Sequence, residues 1–193
     1  MASIELQQIL SKNLASESRL QVRKLFQKSF QKKKNEMIAE FLNHPVTQEI
    51  KGGVSANNLS GTLGNVTNLF SFIGFESGDD PIDPILEILE QTTFDFMSSS
   101  GNKINYRVNL PLKEQIFSVT PFPYSSGRSW VKGIETGISG LGFYLKVRRD
   151  SSRSGLGIQT PKRVRKKGVK FRNTKYISSL LKKYEIEFKN LQL

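Results

Sequence analysis

Catalysis has few places to reside in this chain. His44 is its single histidine and there is no cysteine. Thiolate catalysis, thiolate metal sites and disulfides are therefore excluded together, and any imidazole base or metal cluster would rest on one residue. His44 stands where the sequence marks the end of a helix. An imidazole there caps backbone carbonyls or sits favourably in the helix dipole, so a structural role is expected. Glu76, Asp79, Asp80 and Asp83 have the oxygen-rich character that hard cations prefer. Their spacing lacks the alternating ligands and following glycine of a calcium loop, and they read as a solvated turn whose last member caps a helix. Gly133, Gly137, Gly140, Gly142, Gly155 and Gly157 reproduce neither the dinucleotide fingerprint nor the phosphate loop, and are expected to serve turning and close backbone approach. No serine, carboxylate or lysine stands where nucleophile, base and orienter would have to meet. The chain is expected to be no enzyme and to carry no cofactor or metal.

Binding chemistry is more plentiful. From Lys146 to Lys175 there are twelve Lys/Arg against the single Asp150, which is +11 of the formal net charge of +12. A field this concentrated attracts nucleic acid or an acidic protein face. The candidate contacts are Arg148, Arg149, Arg153, Lys162, Arg163, Arg165, Lys166, Lys167, Lys170 and Arg172. The segment is poor in apolar residues and rich in Gly and Ser, so residues 148–173 are expected to form a flexible arm that orders on a partner. Residues 139–145 partly match the RNA-recognition strand, with Gly140, Gly142 and Phe143 in place. Ser139 stands where that motif wants a basic residue, and the β-α-β-β-α-β order is missing. In a nucleic-acid reading Phe143, Tyr144 or Trp130 would stack bases. Lys32, Lys33 and Lys34 read as a solvated helix face.

These groups need a scaffold, and 193 residues with 37% apolar content and thirteen Phe are enough for one domain, residues 1–193, around a small core. No apolar run approaches the length of a membrane span, and the first residues lack the form of a secretory signal, so the chain is expected to be made in the cytoplasm. Residues 16–43 read as a long amphipathic helix carrying Leu25, Phe26, Phe30, Met37, Ile38, Phe41 and Leu42, preceded by a shorter one and ended by His44-Pro45. Residues 69–147 read as a sheet region with short helices. Strands are expected at 69–75, 92–97, 104–110, 117–120 and 141–147, with 92–97 and 104–110 forming a hairpin. Asp83-Pro84 opens a short helix, residues 129–136 give one or two helical turns, and 121–127 is a loop. Residues 174–193 form a docked helix, because Tyr176, Ile177, Leu180, Leu181, Tyr184, Phe188 and Leu191 step by three and four. The fold class is α+β: a long N-terminal amphipathic helix, a few-stranded antiparallel sheet and a docked C-terminal helix.

In this order the pieces resemble the head-tail joining proteins of tailed bacteriophages, the tail-completion or neck class. The resemblance rests on the long charged helix, the turn Asn58-Leu59-Ser60-Gly61-Thr62-Leu63, the short strands, the Gly-rich basic loop, and the lead-in Lys170-Phe171-Arg172-Asn173-Thr174-Lys175-Tyr176-Ile177 to the last helix. Members often show Thr-Gly-Arg-Leu at the turn, where this chain has Ser60-Gly61-Thr62-Leu63. They also tend to carry a proline-aromatic pair where Phe171 stands alone, and residues 76–126 enlarge the usual middle. The resemblance implies a non-enzymatic virion subunit, forming a homo-oligomeric ring at the neck. Its neighbours would be the portal or connector and the tail-tube or tail-terminator proteins, and the basic arm would face an acidic neighbour or packaged DNA in the lumen. The alternative is a nucleic-acid-binding protein that uses residues 148–175.

Overall fold

A computed structural model describes residues 2–63, 68–100, 103–123, 125–137, 144–145, 158–159 and 171–191. The class is α+β, with the expected long first helix, antiparallel hairpin and closing helix.

Helix α1 runs from Ala2 to Asn43 without the expected break before residue 16. No Gly or Pro occurs in the first 43 residues to interrupt it. Phe26, Phe30, Met37 and Phe41 follow at steps of four, seven and four and are all buried, with Ile38 and Leu42 packed beside them. Leu25 departs from the expected stripe and is 54% exposed. The helix stops at His44, whose extended backbone (φ −64°, ψ 136°) precedes Pro45 at the start of α2 (Pro45–Lys51). A 3₁₀ turn, Gly53–Ser55, leads into the loop that follows.

The strand expected at 69–75 is instead a short helix, α3 (Leu69–Ile73). The Asn68 side chain caps it by accepting from Ser71 N at 2.9 Å. Gly74 closes it in the left-handed region at φ 104°, with Gly74 N and Phe75 N both donating to Phe70 O at 3.2 Å. These two caps outweigh the strand preference of Phe70, Phe72 and Ile73. Helix α4 (Asp83–Glu90) starts with Pro84 in its first turn. Its opening backbone amides, however, are held by Asp80, which accepts from Ile82 N at 3.1 Å and Asp83 N at 3.3 Å. Asp83 is therefore the first helical residue rather than the cap.

Strands β1 (Thr93–Ser100) and β2 (Lys103–Asn109) form the expected hairpin, with Phe94 opposite Val108 and Phe96 opposite Tyr106 before a bulge that shifts the register to Ser98 opposite Asn105. They extend further towards the turn than the sequence suggested. The strand expected at 117–120 is replaced by the end of α5 (Lys113–Ser118), with Thr120 Oγ1 donating to Ile116 O at 2.8 Å. The expected loop at 121–127 contains β3 (Pro121–Phe122) paired with β4 (Ser125–Ser129). Helix α6 (Trp130–Thr136) follows, capped by the Ser129 hydroxyl, which accepts from Lys132 N at 3.1 Å. Of the strand expected at 141–147, Tyr144–Leu145 is described as β5, paired with β6 (Ile158–Gln159). Among the described residues the β structure consists of three two-stranded antiparallel pairs.

Helix α7 (Ile177–Lys189) buries Ile177, Leu180, Tyr184 and Phe188 as its periodicity demands, while Leu181 is only partly buried. A two-stranded hairpin is marginal by itself in water. Here it leans on α1: the Phe26 ring stacks on Tyr106 at 4.0 Å, and Phe94 meets Phe26 edge-on at 5.0 Å. Phe30 reaches Phe188 at 5.4 Å, so α1, the hairpin and α7 share one core. No helix among the described residues is long and apolar enough to cross a membrane.

Candidate assembly surfaces

Of the candidate contact residues, Arg172 alone is described; Arg148, Arg149, Arg153, Lys162, Arg163, Arg165, Lys166, Lys167 and Lys170 lie outside the described residues. Arg172 is held by its backbone, which donates to Thr62 O at 2.9 Å, while the residue stays exposed. The lead-in continues as a strap. Thr174 N donates to Ile134 O at 3.1 Å, and its hydroxyl lies 3.4 Å from the Thr62 hydroxyl. Glu135 then accepts from Tyr176 N at 3.1 Å and Ser178 N at 2.7 Å, which satisfies amides at the start of α7. Phe171 stacks on Phe72 at 6.1 Å. Residues 171–173, expected to belong to the flexible arm, are fastened to the body.

The strap lands on the turn that carried the resemblance. Glu49 on α2 is fully buried, and its carboxylate accepts from Ser60 N at 2.8 Å and Leu69 N at 2.6 Å. Thr62 is also fully buried and accepts from the Ser60 hydroxyl at 2.8 Å. Asn68 ties the same region to Val54 O at 2.9 Å and Ala56 O at 3.0 Å. The sequence offers one signal for Glu49: it falls among Val46, Thr47 and Ile50 on the buried side of α2.

His44 is structural, but it caps the start of α2 rather than the end of α1: Val46 N donates to its Nδ1 at 3.2 Å. Its ring lies 4.8 Å from that of Tyr176. Burial lowers the imidazole pKa, against the opposing charge of Glu40. The Tyr176 hydroxyl lies 2.5 Å from Thr47 Oγ1, and burial raises its pKa.

The lysine run of α1 is not a uniform solvated face. Lys33 bonds Glu36 at 2.6 Å and Glu187 at 2.9 Å, and Lys34 donates to Thr92 O at 3.1 Å and to Glu90 O. Lys32 remains exposed. On the same α1–α7 seam, Glu40 accepts from Lys183 at 2.5 Å and from the Tyr184 hydroxyl at 2.9 Å. The Lys183 contact holds the Glu40 carboxyl below the usual carboxylate range, against an opposing effect of burial.

The acidic loop folds on itself. Asp79 accepts from Glu76 N at 2.7 Å, and Asp80 holds the α4 entry as described. Trp130 is 1% exposed and meets Phe75 edge-on at 5.8 Å, so it is core and offers no face to a base. Arg128 lies over the Phe122 ring at 5.8 Å. Residues 139–143 lie outside the described residues.

The other prominent surface is the front of α1. From Glu17 to Leu25 no side chain is buried, and Phe26 is the first buried one among the side chains described. At 1.5 Å per residue, these nine residues run about 14 Å ahead of that anchor. Leu20 and Leu25 on it are 57% and 54% exposed.

No protein family, no curated protein and no solved structure matches the chain.

Proposed function

We propose that this chain is a non-enzymatic virion subunit of a bacteriophage neck, assembling as a homo-oligomeric ring that joins the head to the tail. Its neighbours in this reading are the portal or connector on one side and the tail tube or terminator on the other. The observation that carries the reading is the front of α1. Isolated helices are marginal in water, and most helical stability in proteins comes from packing one face against something. A stretch from Glu17 to Leu25 with no buried side chain, and with Leu20 and Leu25 exposed, calls for a neighbouring subunit. The resemblance in the turn and lead-in, and the basic segment 146–175, agree with an assembly role.

Sedimentation velocity of the purified chain, with and without duplex DNA, tests this reading. A ring subunit forms species larger than the monomer whose share grows with concentration, and it gains thermal stability as they form. The alternative, a nucleic-acid binder using residues 148–175, stays monomeric at every concentration and holds DNA with a steep dependence on salt. That outcome would replace the ring reading.

A further inference from the structure

The chain separates its charges by region. Residues 18–35 hold seven Lys/Arg and no Asp or Glu, whereas residues 52–102 hold seven Asp/Glu and no Lys or Arg. Each set presents a regular row. On α1, Lys24, Lys28 and Lys32 recur every fourth residue and are exposed, which gives a row about 12 Å long. On α4, Asp83, Glu87 and Glu90 recur at steps of four and three and are exposed, on the side of the helix opposite the buried Ile85 and Leu89. That row is about 10 Å long.

Neither row takes part in an ion pair among the described residues. The ion pairs among the described residues join Lys33, Lys183, Lys189 and Lys113 to Glu36, Glu40, Glu185, Glu187 and Glu114. None includes a member of either row, and Lys32 acts on Glu36 only as a more distant charge. Among the described residues, Lys33 and Lys183 are paired along the α1–α7 seam, and the outer row of α1 has no ion-pair partner.

We infer that the basic row of α1 in one copy docks on the acidic row of α4 in the next. This rests on the ring reading and names the two surfaces that make it. They are different surfaces of one chain, as a heterologous contact requires, and each copy is left with one row of each sign to pass the contact on until the ring closes. Exposed ion pairs contribute little individually, so the charges set register and partner choice. Leu25, 54% exposed and one turn from Lys28, supplies apolar contact on the α1 side, and the partly buried Leu86 flanks the acidic row on α4.

The test is a charge exchange read by sedimentation velocity. One variant carries Lys24→Glu and Lys28→Glu, the other Glu87→Lys and Glu90→Lys, and unchanged Trp130 emission and melting show that each still folds. Each variant alone should associate at least tenfold more weakly than wild type. An equal mixture should recover association, because opposite charges face one another at every contact of an alternating ring. Wild-type-like association by either variant alone, or no recovery in the mixture, would overturn the assignment. So would a Lys24/Lys28 variant that loses binding to duplex DNA while self-association is intact. A wild-type chain that stays monomeric would sink the ring reading itself, which the variants' behaviour against an associating wild type does not.

Discussion

Glu49→Ala is expected to destabilise the fold by about 3 kcal/mol or more, since a lost partner leaves buried donors unsatisfied at about 1 to 3 kcal/mol each. The carboxylate accepts from Ser60 N and Leu69 N with no exposure to solvent. It joins α2, the turn at 58–63 and the first turn of α3, so no solvent-facing rearrangement replaces it. Glu49→Gln keeps one acceptor oxygen and should lose clearly less. Urea unfolding followed through Trp130, the only tryptophan and a buried one, gives both values. Losses under about 0.5 kcal/mol, the range of exposed substitutions, would show that the carboxylate is not a buried acceptor.

Phe41→Ala is expected to cost about 3 to 5 kcal/mol, the usual range for a buried Phe. Phe41 is fully buried and its ring lies 6.0 Å from that of Tyr176, so the change opens a cavity where α1 meets the start of α7. Against a total stability of about 5 to 15 kcal/mol, this leaves a marginal protein. Exchange at Leu25, 54% exposed on the same helix, provides the contrast, because Leu25→Ala should leave the fold of the isolated chain nearly unchanged. Similar losses at the two positions would mean that α1 is not docked through the Phe26, Phe30, Met37 and Phe41 face.

What the sequence made legible was set by local signals. The end of α1 at His44-Pro45, the helical turns of α6, the stripe of α7 and the 93–109 hairpin all follow from residues close in the chain. Helix α3 is not legible from the sequence although its caps, Asn68 and Gly74, are in plain view. Phe70, Phe72, Ile73 and Phe75 are all buried, and a short run that is apolar on every side has no period to distinguish helix from strand. Glu49, Lys33, Lys34 and Glu135 were illegible for a different reason: their partners at Leu69, Glu187, Thr92 and Tyr176 are brought to them only by the tertiary fold. The charge of segment 146–175 was legible as composition, but the fastening of its last residues to Thr62 and Ile134 depends on backbone atoms, which composition does not reveal.

The proposed role in joining head to tail is tested most directly by counting particles. Cells infected by a phage lacking this gene should yield filled heads and finished tails lying apart under the electron microscope, and expression of the wild-type chain in those cells should restore joined virions. Joined, infectious particles at wild-type yield in the absence of the chain would contradict the account.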